Sequence, residues 1–352
     1  MEYEGCKMTT LTIRDIAQMS GVSRGTVSKV INNYDGVSEL TKRKVLEVID
    51  KTGYQPTFSA RSLATKKSSL IGLIYAGKIN VEFNHPFFNE VISSFQKTLG
   101  AMGYDIIIFS NEMFDKDSVD YLARSRHFRL DGCLIIAGEE VEEAVTELDK
   151  SDIPCLGIDL ELTGENSSYV MTDNFKVSQL AVEYLYLNSI RDVGYIAGKD
   201  SSDISNQRLE GFLQTMSQFG MTVQPQWIKH GNFFESSGYE AMEVILQGDS
   251  LPKAIIAASD MMALGAMRAI KDYGLRIPQD IQVLGCDDVE ACRYMEPALT
   301  TIKQDKQKIG RLAAIKLNDL INGVTGLRPT LVDPELVVRN SSGNVEEVMK
   351  KR

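Results

Sequence analysis

Arg24, Gly25, Thr26, Ser28, Lys29 and Asn32 fall within residues 24–32 and, at helical spacing, share one face, while Val27, Val30 and Ile31 share the other. A short helix that shows basic and small polar groups, with no long acidic side chains among them, suits the major groove of DNA. Its cations and hydroxyls can meet phosphate oxygens and base edges there. A different chemistry lies far along the chain. Asp287 ends the apolar run Val283-Leu284-Gly285-Cys286, and Arg208 follows the polar stretch 200–207 at the opening of a helix. A carboxylate and a planar guanidinium take paired hydroxyl groups, and an aromatic ring covers the apolar side of a small polar ligand.

The first group needs a scaffold, and the flanking residues supply one. Thr12 opens a capping box with Asp15 three positions on, and Ile13, Ile16 and Ala17 form an apolar stripe. Ser20-Gly21-Val22 is the turn, with Gly21 free to take the backbone angle of a tight helix connection and Val22 plugging the space between helices. Ser23 caps the second helix. A third is expected from about Leu40 to Thr52, capped near Ser38 and stopped by Gly53, with Val45, Leu46 and Ile49 inward. The bland alternative is a three-helix bundle with a polar surface. Residues 54–65 read as a linker with helical potential after Pro56, too short to be stable alone in water.

The chain has 352 residues, enough for two or three domains, and a net charge of −10. That charge is unevenly spread. Residues 1–69 carry 11 Lys+Arg and 7 Asp+Glu, hence +4, and the remainder carries −14. A basic head on an acidic body fits phosphate contact at one end only. The excess is modest, so strong DNA binding calls for two heads. No apolar run reaches the ~18 residues of a membrane span, the acidic N-terminus does not read as a secretory signal, and a cytoplasmic location is expected. Cys6, Cys133, Cys155, Cys286 and Cys292 lack C-x-x-C spacing and read as free thiols, so no zinc and no cofactor is expected.

From Leu70 short apolar runs alternate with amphipathic stretches. Expected strands are 70–75, 105–109, 132–136, 155–158 and 169–171, then 192–196, 227–230, 254–257 and 282–285. Such alternation gives parallel sheets covered on both faces. Two series imply two similar lobes, with a ligand site outside the carboxyl ends of the strands.

The runs Thr12–Asn32, Val37-Ser38, Gly53-Tyr54-Gln55-Pro56 and Ala60-Arg61-Ser62-Leu63 resemble the LacI/GalR family of bacterial transcription regulators. So do Arg208-Leu209-Glu210-Gly211-Phe212, 259–266, Asp287-Asp288 and 297–302, so the resemblance covers nearly the whole chain. It implies an α/β protein: an N-terminal helix-turn-helix three-helix head, and a two-lobed, periplasmic-binding-protein-like body with Rossmann-like parallel sheets. The expected segments are a DNA-binding domain at 1–56, a hinge helix and linker at 57–69, an effector-binding and dimerisation body at 70–342 and a polar tail at 343–352. Lobe 1 takes about 70–172 and 302–331, and lobe 2 about 173–300 and 333–342. The chain is expected to cross between them near Met171–Asp173, Ala298–Thr301 and Leu331–Pro334.

The resemblance also assigns residues. Arg24, Gly25 and Lys29 fall where the family reads bases, and Thr26, Ser28 and Asn32 where it touches phosphate or supports the helix. The caps Thr12 and Ser23 join the DNA-contact set. Leu63, with Ala60 beside it, becomes the hinge wedge that unstacks a base step and bends the duplex. Lys29 stands where arginine is commoner and Gly25 offers no side chain, which weakens base readout at both. Arg208 and Asp287 fall where the family contacts its effector. Phe233 matches the aromatic that stacks on it, Ser259 and Asp260 match a polar pair at the cleft, and Phe87 is expected to line the other lobe. Simpler roles compete: Asp260 as a helix cap, Asp288 as a helix start, Phe88 as core, Trp227 as a strand marker and Asp173 as a hinge. Two family features are missing, since Val177-Ser178 and Ser189-Ile190 stand where glycine-containing pairs are usual.

The expected partners are a pseudo-palindromic double-stranded operator, a small effector, and a second copy of the chain. The family's dimer surface includes about 90–100, and the polar tail is too short for a tetramerisation helix. The effector is expected to be a sugar that releases DNA. The alternatives are a purine-type corepressor, a phosphorylated carrier protein, or a sugar-binding protein without regulation. An enzyme is disfavoured: no G-x-G-x-x-G, P-loop, G-x-S-x-G or H-E-x-x-H occurs, and the three histidines form no cluster in sequence.

Overall fold

The computed structural model describes residues 11–32, 34–54, 67–76, 85–109, 120–137, 141 and 143–343. The hinge positions Ala60 and Leu63, Cys6 and the polar tail 344–352 lie outside them. The chain divides into two compact units, Met1–Ser69 and Leu70–Arg352.

In the first unit, α1 spans Ile13–Ser20, α2 Arg24–Ile31 and α3 Glu39–Thr52. Asp15 reaches back to the Thr12 amide at 2.8 Å and hydroxyl at 2.7 Å. Those bonds hold its carboxyl below the usual range. Gly21 ends α1 at φ 69°, the left-handed conformation glycine adopts without steric cost. Ile16, Ala17, Val27, Val30, Val45 and Tyr54 form the core. Two expectations fail here. Leu46 is 42% exposed, because Val45, Val48 and Ile49 already fill the inner stripe of α3. Tyr54, read as linker, is buried and closes the head core.

In the second unit, β1 is Leu70–Ala76, α4 Pro86–Ala101, β2 Asp105–Ile108, α5 Tyr121–His127, β3 Gly132–Ala137, α6 Glu143–Asp149, β4 Cys155–Ile158 and β5 Ser167–Thr172. There follow α7 Asn174–Leu187, β6 Val193–Ala197, α8 Asp203–Gln218, β7 Ile228–His230, α9 Glu235–Leu246, β8 Ala254–Ala257, α10 Asp260–Asp272, β9 Gln282–Asp287, α11 Ala291–Tyr294 and β10 Thr300–Lys303. The last elements are α12 Lys306–Ile321, β11 Thr330–Val332 and β12 Glu335–Val337. One sheet runs β11-β5-β4-β3-β1-β2, all parallel; the other runs β12-β10-β9-β8-β6-β7, parallel except at β12. Both faces of the first sheet are covered. Ile71, Leu73 and Tyr75 point into one core, and Ile74 and Ala76 into another with α5 and α6 residues. Helices close on one another at glycines. A methyl on Gly310 of α12 would lie 2.3 Å from the Val91 carbonyl of α4, and one on Gly265 of α10 would lie 2.0 Å from that of Glu235 in α9.

The chain passes between the sheets at Asp173, at Gln304-Asp305 and at Asp333-Pro334. The second passage corrects the expectation of Ala298–Thr301, because Thr300–Lys303 pairs with β9 as a full strand of the second sheet before the chain leaves it. The first and third are tied together: the Asp173 amide donates to Val332 O at 3.0 Å, and Lys176 pairs with Asp333 at 2.7 Å. Trp227 lies in a short 3-10 turn, and β7 begins only at Ile228.

Candidate functional site

On the head, Ser23 caps α2 by accepting from the Thr26 amide at 3.1 Å, and the two hydroxyls meet at 2.9 Å. Asn32 ends the helix by donating to Ser28 O at 2.8 Å. Thr12, Ser23, Thr26, Ser28 and Asn32 thus all make local bonds, while Arg24, Gly25 and Lys29 are the exposed residues of the outward face. Beside them runs a groove lined by Ser23, Gly25, Thr26 and Lys29 and by Gly36, Val37, Ser38 and Thr41 at the start of α3. Ser38 caps α3 at the Thr41 amide. Two capped helix starts and a lysine on one groove suit a phosphate backbone.

Within the second unit, the carboxyl ends of the parallel strands of both lobes meet at a cavity of about 430 Å³. Lobe 1 contributes His85 at the N-cap of α4, Phe87 and Phe88 in its first turn, Ala137 ending β3 and Asp159 just after β4. Lobe 2 contributes Ser202, Ile204, Arg208, Phe233, Phe234, Ser259 and Asp287, and Gln304 enters from the second passage. Arg208 is buried, with Nε donating to Asn174 at 2.8 Å and Nη1 to Ala258 O at 2.5 Å, so its plane is fixed. Ser259 caps α10 and donates to Phe233 O at 3.1 Å, locking that loop. Gln304 donates to Asp287 Oδ1 at 2.6 Å.

Asp287 and Asp288 both take positive φ, 130° and 53°, which side chains rarely adopt. Lys306 at the start of α12 holds that corner. Its buried ammonium donates to Asp287 O at 2.9 Å and Asp288 O at 2.7 Å, and pairs with Glu90 of α4 at 3.3 Å. A residue of lobe 1 therefore sets the backbone that aims a carboxylate of lobe 2.

Burial raises the carboxyl of Asp159 to about 6; Arg208 works against the shift and Asp287 with it. Burial lowers the imidazole of His85, with Asp287 opposing. Asp159 Oδ1 and Gln304 Oε1 are buried without a hydrogen-bond partner among the described residues. Such orphaned acceptors in a native fold point to a donor-bearing ligand or to water.

Of the residues expected here, Phe87, Arg208, Phe233, Ser259 and Asp287 line the cavity and Asp260 does not. The Asp260 carboxylate faces inward, accepting from Thr301 at 2.6 Å, the Val289 amide at 2.9 Å and Cys292 at 3.0 Å. It occupies space left open by Gly285, whose added Cβ would lie 2.1 Å from Asp260 Oδ1. Burial and the Asp287 charge push its carboxyl well up. Asp288 starts no helix; it pairs with Arg339 and, at 3.7 Å, with Arg293. Phe88, read as core, is both core and cavity wall. Asp173 caps α7 at the passage and does not line the cavity. Sequence reasoning missed Asp159, His85, Phe234, Ser202, Ile204 and Gln304. Asp159 carried a usable signal, since it sits at the carboxyl end of a strand, just after β4, much as Asp287 closes β9.

Residues 12–57 match the family model for bacterial regulatory proteins of the lacI family, and residues 182–342 match that of a periplasmic binding protein-like domain. The HTH-type transcriptional repressor PurR of Pasteurella multocida (strain Pm70) is 33% identical over 332 residues, covering 94% of this chain and 98% of that protein. PurR of Yersinia enterocolitica is 36% identical over 334 residues, covering 94% and 96%. The lac repressor dimer bound to operator and the anti-inducer ONPF superposes with a TM-score of 0.82 at 28% identity, covering 95% and 99% of the two chains. A transcriptional regulator CelR–cellobiose complex gives 0.71 at 27%, covering 94% and 100%. The outward basic helix, the two parallel-sheet lobes and these matches agree: the chain belongs to the LacI family of bacterial regulatory proteins and is a DNA-binding transcriptional repressor.

Proposed function

We propose that operator binding by this repressor is controlled by a neutral sugar held between the two lobes of the body. The observation that carries the reading is the distribution of acceptors. Asp159 from lobe 1, Asp287 from lobe 2 and Gln304 from the connector surround one cavity, two of them with an orphaned oxygen. A polyol donates hydroxyls in all these directions and accepts from Arg208, while Phe233 offers an apolar face to the ring. The PurR relatives favour a second reading, a purine base. A flat base presents its polar groups along one plane, which fits acceptors spread over both lobes and a connector less well.

In this reading, sugar binding changes the balance between two arrangements of the lobes, with a coupling of ~1–3 kcal/mol to DNA affinity. The protein acts as a homodimer on a pseudo-palindromic operator. Arg24, Gly25 and Lys29 face bases, Thr12, Ser23, Thr26, Ser28 and Asn32 face or support the backbone contacts, and Ala60 and Leu63 serve the hinge. No described helix is long and apolar enough to cross a membrane.

The test is a gel-shift titration with an operator selected by the protein from random DNA, against mono- and disaccharides and hypoxanthine. One sugar should release the operator, and Asp287→Asn should abolish release while leaving sugar-free operator affinity unchanged. Release by hypoxanthine alone, or tighter binding caused by it, would replace the sugar reading with the purine one.

A further inference from the structure

The cavity does not end at the residues just described. A second space of about 640 Å³ adjoins it, sharing Ala137, Asp159, Ser202 and Ile204 as a neck. The inner space, about 430 Å³ with the solvent at its mouth included, is the smaller of the two. The outer one adds a chamber of its own with a different lining. Leu160 and Met171 form an apolar wall, and Glu161, Asp203, Gln207 and Ser201 form a polar one. None of its described lining residues is Lys, Arg or His, so a phosphate or carboxylate there would meet carboxylates with no cation among them to offset the repulsion. The outer chamber therefore fits a neutral, hydroxyl-rich group.

Two further observations bear on occupancy. Asp159, whose buried Oδ1 has no partner, lines both chambers, so it can accept from groups on either side of the neck. Gln207 of α8 donates to Glu161, which follows β4, at 3.5 Å, a long bond from one lobe to the other at the outer chamber. A ring seated there would touch both lobes and add to whatever closure the inner ring produces.

We propose that the outer chamber is a second sugar subsite, and that the effector is a neutral disaccharide or longer glycoside, not a single hexose or a base. This rests on the sugar reading above. Calorimetric titration of the full chain with cellobiose, maltose, lactose and sucrose, and with glucose, galactose, fructose and hypoxanthine, tests both. One disaccharide should bind at least about tenfold tighter than each of its own monosaccharides. In the double variant Glu161→Ala/Gln207→Ala, both residues at the cleft surface, that advantage should fall below about threefold. A monosaccharide as tight as its disaccharide, or an advantage that survives the double variant intact, overturns the second subsite and leaves the sugar reading standing. Response to hypoxanthine alone, or to none of the sugars, overturns the sugar reading and the subsite with it.

Discussion

Lys306→Met removes a charge while keeping a side chain of similar length, and the structure fixes what should follow. The ammonium has three donors and three acceptors: Asp288 O at 2.7 Å, Asp287 O at 2.9 Å and Glu90 at 3.3 Å. The Glu90 side chain is 41% exposed, so water can replace its bond and little is lost there. The two carbonyls lose a charge-assisted donor, and an unsatisfied buried carbonyl costs ~1–3 kcal/mol. Together they make a loss of ~3 kcal/mol or more, which at roughly 2 °C per kcal/mol lowers the melting temperature by about 6 °C. The backbone of Asp287 and Asp288, held at positive φ by those bonds, should relax and carry the carboxylate out of line. Sugar affinity should fall about tenfold. Scanning calorimetry of the full chain reads the first effect and isothermal titration the second, with operator affinity as a check that the head is intact. A melting temperature within about 2 °C of the parent, with unchanged sugar binding, would refute the role given to this lysine.

In the proposed sugar complex, Asp159 should make affinity depend on pH. Its folded value of about 6 lies above that of the unfolded chain, so the ligand-free body loses stability as pH rises through roughly 4 to 6. Hydroxyl donors prefer the ionised acceptor, so affinity should rise over that window and level off by about pH 7; an affinity that falls as pH rises would contradict this. Gly265→Ala should destabilise lobe 2 by ~3 kcal/mol, since the added methyl meets backbone of α9, and a urea midpoint like the parent's would show that the helices can part freely. Val27→Ala, in the small head core, should cost ~2 kcal/mol and weaken operator binding without moving the body's melting temperature; full operator affinity would mean that the head tolerates the cavity.

The parts of this protein that were legible in the sequence have local causes. Ser23 and Ser38 cap helices because a hydroxyl beside a free amide accepts from it, Asp15 reaches back to Thr12 from the same turn, and Gly21 and Gly53 end helices by equally local logic. The strand series showed in apolar runs buried on both faces. What escaped depends on contacts distant in sequence. Lys306 looks like one more surface lysine until α12 is docked on α4, and Asp260 looks like a site residue until Thr301 and Cys292 are seen around it. The second passage was misplaced because Thr300–Lys303 is a strand only through its pairing with β9. Leu46 was misjudged because a helix stripe alone does not say how wide the core beneath it is.

The first lobe is assembled from two pieces of chain with all of the second lobe but β12 and the residues after it between them. Its sheet ends in β11, and α12 covers it, so Ser94 reaches the Gln307 carbonyl across 213 positions of sequence. Closing so long a loop costs entropy that only the finished contact repays, and such distant pairings slow folding. On the ribosome, β1 to β5 emerge early but lack α12 and β11 until the very end of synthesis. A chain truncated near residue 300 would bare the face of lobe 1 that α12 protects, and proteolysis of such nascent chains should cut lobe 1 before lobe 2.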